Sequence, residues 1–420
     1  MMLGTPIRSF VMLALGAAVG TWALAAEPLP VGRDAGVPAF YAWTDTVPAT
    51  PGQLLRAEPL TPEQSLAEAG KNIRILYTST DGVDGRTPIV VSGALFLPKG
   101  TPPKGGWPTM AWAHGTVGSA GVCAPSLARR SERDTRYLND WLAHGYAIVA
   151  TDYQGLGAPG VHPYGLTRPL AYSVLDSIRA VQHGDFDLTS RAVVFGQSQG
   201  ARAAFATAVF AKSYAPELAI AGVVATGTPY AAVHVHAADA ERAHAHQSVV
   251  PTFAYDMLRI STAALLDPAF VPADYLNDKA MPAFELSRHA CLHALEDRIV
   301  ADGLTYDSSF KRSPKPAFEA IQREAAYPAL TSDIPIFIGT GGKDRDVFVP
   351  DQIALATDAC RAGDRIEWHF YPALDHSGTV NGSLPDSTRF VARAFAGERL
   401  DGNCASLSSK PGSAHRGAEE

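Results

Sequence analysis

The sequence predicts an α/β fold with a mostly parallel central sheet, flanking helices and an inserted helical cap. Three observations predict it. From Trp107 onward, short apolar runs alternate with helix-prone segments, the order that builds a parallel sheet. One of these runs, Arg191 to Phe195, passes through Gly196-Gln197-Ser198-Gln199-Gly200 into an Ala-rich helical stretch. Later, about 100 residues pass without strand alternation, too many for a bare loop in a compact domain.

The elements follow in order. Residues 1–25 carry one cation, Arg8, then an apolar run closed by Ala23-Leu24-Ala25, which reads as a secretory signal peptide cleaved near Ala25. The run is short for a membrane span and holds Gly16 and Gly20. Residues 26–70 are Pro-rich and read as an extended N-terminal arm. Asn72–Thr80 and Pro88–Pro98 flank Asp81-Gly82-Val83-Asp84-Gly85 and read as an antiparallel hairpin. Then come a strand from Trp107, a helix over 134–144, a strand over 146–153, a helix over 170–183 and strands over 191–195, 221–227 and 334–339. A last strand starts at Arg365. The core is therefore expected at 71–229 and 331–404, and a helical cap at 230–330. Within the cap, Phe253–Leu266 and His289–Val300 have apolar faces at helical spacing. Phe253, Tyr255, Met257 and Leu258 serve there either as walls of an acyl tunnel or as the cap's own packing. Residues 405–420 are small and polar, and a disordered tail is expected.

The glycines around Ser198 carry chemical meaning. A serine on a sharp strand-to-helix turn has a strained backbone, and side chains two residues either way would clash with the neighbouring strand and helix. Such an elbow exposes Ser198 where the following helix aims free N–H groups at developing negative charge. A hydroxyl is a weak nucleophile until an imidazole takes its proton, and the imidazole needs a carboxylate to fix its tautomer. Downstream, Ile334–Gly339 breaks at glycines into a loop bearing Asp344, and the strand from Arg365 ends in a loop bearing His376. That order of Ser, acid and His is the one used by the α/β-hydrolase fold. Asp346 is the alternative acid. The apolar run ending at His114-Gly115-Thr116 stands where this fold places the second oxyanion donor, so the backbone N–H groups of Thr116 and Gln199 are the expected pair.

Several motifs in the right order then resemble one family. They are His114–Ser126, Thr151–Tyr164 with its Asp-Tyr-Gln-Gly-Leu-Gly run, and Val174–Ala180, and together they look like the secretory lipase family of the lipase A type. The likeness extends from about Pro51 to Cys404. It implies an α/β-hydrolase fold with a helical lid and carboxylic ester hydrolysis, and carries Ser198, Asp344 and His376 into the triad. Asp346 and the long Arg345–Pro350 stretch depart from the family pattern and keep Asp346 as the alternative acid. The lid region matches only loosely, so acyl-chain preference does not transfer. Four cysteines in an exported chain favour disulfides, and four thiols allow three pairings. The resemblance supports Cys123 with Cys291 and Cys360 with Cys404.

Composition narrows the class. The chain has 420 residues, 46% hydrophobic and 18% charged, with net charge −7 and no basic cluster, which excludes a nucleic-acid footprint or a polybasic membrane surface. Gly155-Leu-Gly-Ala-Pro-Gly160 matches a dinucleotide fingerprint, but Pro159 and Pro163 forbid the helix it requires. His234, His236, His244 and His246 with Asp239 and Glu241 lack a fixed ligand set and read as solvated cap surface. No metal or cofactor is expected. The expectation is an exported serine carboxylester hydrolase cleaving acylglycerol-type or other apolar esters, with a small-molecule or lipid ester as partner and transient contact with a lipid interface. An acyltransferase, or a polyester, feruloyl or short-chain esterase, fits the same triad. A non-catalytic binding protein would be expected to lack one of its members.

Overall fold

A computed structural model describes Met1, residues 36–230 and residues 239–408. The expected signal peptide, His234 and His236, the side chains of Asp239 and Glu241 and the end of the tail lie outside these residues. Residues 36 onward that are described belong to one compact unit.

Among the described residues nine strands form one sheet: β1 (Leu54–Pro59), β2 (Ala69–Thr80), β3 (Pro88–Pro98), β4 (Trp107–Ala113), β5 (Ala147–Thr151), β6 (Leu188–Gln197), β7 (Ala219–Thr226), β8 (Ile336–Gly341) and β9 (Ile366–Tyr371). Their order is β1-β2-β3-β5-β4-β6-β7-β8-β9. β1, β2 and β3 pair antiparallel, β3 pairs antiparallel with β5, and β5 through β9 are parallel in that spatial order. The chain turns one way after β4 and the other way to reach β6. That reversal opens a crevice at the carboxyl ends of β4 and β6, where such sheets bind ligands.

Alternation across the sheet builds two apolar layers. Ala111, Ala113, Val194 and Ala192 face a layer closed by α2 (Thr167–Gln182), α3 (Gln199–Tyr214) and α11 (Val349–Ala362). Met110, Trp112, Val193 and Phe195 face the opposite layer, closed by α1 (Glu132–Ala143) and α13 (Leu384–Ala396). Between β7 and β8 the chain runs through α4 (Asp239–Gln247), α5 (Ala254–Leu266), α6 (Pro272–Tyr275), α7 (Met281–Ser287), α8 (Leu292–Ala301), α9 (Tyr306–Ser309) and α10 (Lys315–Glu324). Phe253, Met257, Leu258, Leu295, Ile299 and Phe318 bury one another in a separate apolar cluster there. Each such side chain taken from water contributes about 1.5–3 kcal/mol, enough to hold an inserted unit together. After β9 come α12 (Gly378–Gly382), α13 and α14 (Cys404–Ser408).

Two expectations need correcting. The arm expected over 26–70 contains β1, an edge strand whose Pro59 sits at its end, where a missing N–H costs no ladder bond. The tail expected from 405 begins instead as helix α14, tethered by the Cys360–Cys404 disulfide to α11. The second disulfide joins Cys123, in the loop after β4, to Cys291 at the start of α8, 168 residues away.

Candidate active site

Ser198 follows β6 directly and caps α3 with φ 59° and ψ −122°, a left-handed conformation that few non-glycine residues adopt. The flanking glycines explain how the turn fits. A Cβ on Gly196 would lie 2.2 Å from the Gly200 carbonyl oxygen, and one on Gly200 would lie 1.9 Å from the Ala113 carbonyl oxygen. These are backbone neighbours and have nowhere to move. The turn is pinned by Ser198 N–H donating to the Thr226 carbonyl at 3.0 Å.

The loops after β8 and β9 bring the acid to the histidine. His376 Nδ1 lies 2.7 Å from Asp344 Oδ2, with both side chains buried. Asp344 Oδ2 also accepts from Gln352 Nε2 at 2.8 Å, while Oδ1 accepts from the backbone N–H groups of Asp346 and Val347 at 3.0 and 2.9 Å. The Asp344 carboxylate is thus held by four donors. Asp346 contributes its backbone to that cradle, and its own carboxyl, pushed above the usual carboxylate range by burial, faces the cavities instead. Among the described residues no hydrogen bond joins Ser198 to His376, although both wall the same cavity.

The β4 loop approaches from the other side. Tyr153 OH donates to the His114 carbonyl at 3.0 Å, and the buried His114 ring contacts the Gly115 and Asp152 carbonyls at 2.6 and 3.2 Å. A Cβ on Gly115 would lie 2.7 Å from Gln197 Oε1, so any larger residue there would displace the end of the Gln197 side chain beside the elbow. Thr116 follows, its hydroxyl 3.0 Å from Tyr164 OH, and it walls the same cavity as Ser198 and His376. Gln199 opens α3, so its N–H belongs to the first turn, which has no intrahelical acceptor.

Two cavities meet at Ser198, one of about 420 Å³ and one of about 520 Å³, and both are walled by Tyr255 and Asp346. Of the four cap residues offered for a tunnel, only Tyr255 faces the cavities. Phe253, Met257 and Leu258 are buried in the cap's own cluster. Sequence reasoning also missed Gly227 and Gln352. Gly227, at φ +62°, leaves room where a Cβ would lie 2.9 Å from His376 Cε1. Its position just past β7, level with the elbow beyond β6, was the available signal. Among the described residues no group of three or more His, Cys, Asp or Glu is arranged to hold a metal ion.

Comparison with known proteins agrees with this architecture. Lipase A of Moesziomyces aphidis is 25% identical over 279 residues, 63% of this chain and 58% of that protein. A secreted triacylglycerol lipase of Malassezia furfur is 28% identical over 290 residues, 65% of this chain and 52% of that protein. The matched region thus spans little more than half the length of these curated relatives. Among solved structures, Candida antarctica lipase A superposes with TM-score 0.68 at 21% identity over 83% of each chain. A rice cell wall degrading esterase from Xanthomonas oryzae gives TM-score 0.62 at 18% identity, covering 83% of this chain and 100% of that one. At these identities the two structures establish the α/β-hydrolase fold. The family model for secretory lipases matches residues 126–403, a span that runs through the elbow, the acid loop and the histidine loop. It takes in well over half of the chain, which therefore belongs to the secretory lipase family.

Proposed function

We propose that this protein is an exported carboxylester hydrolase in which Ser198 is the nucleophile, His376 the general base and Asp344 the positioning acid. The observation that carries the reading is the 2.7 Å contact between His376 Nδ1 and Asp344 Oδ2 beside a serine held at φ 59°. With Nδ1–H directed at Asp344, the ring's Nε2 is the atom free to take a proton. His376 deprotonates Ser198 as its oxygen attacks the ester carbonyl, and the N–H groups of Thr116 and Gln199 stabilise the oxyanion. His376 then gives the proton to the departing alcohol oxygen. Water, deprotonated by the same ring, attacks the acyl-enzyme and releases the acid.

The reading treats 71–229 and 331–404 as the core and 230–330 as a cap over the serine, limiting the access of water. Export fits a secretory family and a chain with two disulfides. Acylglycerol-type or other apolar esters are the general class, and the walls of the two cavities decide which of them enter. Hydrolysis of p-nitrophenyl esters from acetate to palmitate, by the wild type and by Ser198→Ala, tests the proposal. Ser198-dependent release of p-nitrophenol supports it, and equal rates from both proteins refute it. An acyltransferase on the same triad would instead transfer the acyl group to an added alcohol in preference to water.

A further inference from the structure

The two cavities that meet at Ser198 differ in chemistry, and the difference bears on the acyl group. This inference rests on the hydrolase reading above, in which His376 returns a proton to the departing alcohol oxygen. His376 walls the 520 Å³ cavity and not the 420 Å³ one. The alcohol therefore leaves on the His376 side, and the acyl chain occupies the other cavity, past Gln199, Tyr164 and Tyr255.

That acyl-side cavity carries a cation. Arg202 lies one helical turn beyond the nucleophile, its backbone N–H donating to the Ser198 carbonyl at 3.1 Å. Among the described residues its guanidinium makes one hydrogen bond, from Nη1 to the Gly165 carbonyl at 2.7 Å, and meets no carboxylate within ion-pair distance. Burial pulls its pKa below the usual guanidinium value, as expected where no counter-ion offsets desolvation. The second guanidinium on this wall, Arg259, is already paired with Asp256 at 3.4 Å. The Tyr327 hydroxyl, on the same wall, is buried with no hydrogen-bond partner. The remaining carboxyl, Asp346, stands where both cavities meet.

A plain hydrocarbon chain in this cavity would cover an uncompensated cation and an unmet hydroxyl, both unfavourable. A carboxylate at the end of the acyl chain would satisfy both, since a guanidinium binds carboxylate through paired N–H groups. We propose that the acyl-side cavity selects, in place of the plain apolar acyl chains of the general ester class above, acyl chains that end in a carboxylate, with Arg202 and Tyr327 as the specificity-determining residues.

The test compares monomethyl adipate with methyl hexanoate, by titrating released acid at constant pH with the purified full chain. The expected kcat/KM for the adipate ester exceeds that for the hexanoate ester at least tenfold. Arg202→Gln should shrink that ratio tenfold or more, Arg202→Lys should keep part of it, and Tyr327→Phe should lower it several-fold. A wild-type ratio at or below one overturns the inference, and so does an Arg202→Gln ratio equal to wild type. If Arg202→Gln fails to fold, the wild-type ratio and Tyr327→Phe decide the question. Ser198→Ala separates the two levels: if it still cleaves methyl hexanoate, the hydrolase reading falls, whereas Ser198-dependent cleavage without the adipate preference sinks only the carboxylate inference.

Discussion

Replacing Asp344 by asparagine changes one atom in a site that has no place for the change. Both carboxylate oxygens accept two hydrogen bonds: Oδ2 from His376 Nδ1 and Gln352 Nε2, Oδ1 from the backbone N–H groups of Asp346 and Val347. An amide nitrogen at Oδ1 would face two backbone donors. At Oδ2 it would face the Gln352 amide and would donate to His376 Nδ1, driving the ring proton to Nε2, the atom that in the proposed mechanism accepts the proton of Ser198. Either orientation loses two acceptors, at about 1–3 kcal/mol for each unmet donor. The catalytic loss should follow other triads whose acid is neutralised, about 10⁴ in kcat, or roughly 5.5 kcal/mol of transition-state stabilisation. The assay is kcat on p-nitrophenyl butyrate, normalised to the folded fraction measured by circular dichroism. Asp346→Asn removes a carboxyl that does not touch the ring and should cost less than about tenfold. The reverse ordering, or a loss below tenfold for Asp344→Asn, would refute the assignment.

Three further outcomes follow from the same geometry. Gly200→Ala drives a Cβ to 1.9 Å from the Ala113 carbonyl oxygen, so the protein should lose about 3 kcal/mol or more in urea unfolding together with the proposed ester hydrolysis; wild-type stability would mean the elbow is looser than described. Paired Cys123→Ser and Cys291→Ser substitutions open a 168-residue loop and should cost about 5 kcal/mol in the chain-entropy model; non-reducing peptide mapping that joins Cys123 to any other cysteine would contradict the pairing. Burial holds His162 down to about 4. Because this lies below the unfolded value of about 6.5, the unfolded chain takes up the proton first, so the stability contributed is whole above about pH 6.5 and is lost, by about 3 kcal/mol, as pH falls toward 4. His162→Gln should flatten that part of the urea-unfolding profile, and an unchanged slope would reject the assignment.

Periodicity and turn chemistry made the central sheet legible, because β4 through β8 carry buried apolar runs bounded by glycines or polar loops, while β9 is a partly buried run rich in aromatics. β1 was not legible: Arg56 and Glu58 leave it without an apolar rhythm, and it exists through its pairing with β2. Ser198, Asp344 and His376, the proposed triad, each follow a readable strand, so order along the chain was enough to nominate them. Gln352 and Gly227 did not, since their value lies in distances to residues 8 and 149 positions away, Asp344 and His376. Tyr255 illustrates helical geometry. It lies two residues from both Phe253 and Met257, about 200° around the axis, so it points to the cavities while they point into the cap. An apolar stretch read without a partner surface gives the helix but not which face meets the serine.

The most direct test of the central claim is covalent. Treatment with a fluorophosphonate that traps activated serines, followed by peptide mass mapping, should place one label per chain on the peptide containing Ser198. Ser198→Ala should fold, take up no label and lose ester hydrolysis by at least about 10³. Label on a different serine, or full hydrolysis by the unlabelled variant, would contradict the proposal that Ser198 is the nucleophile.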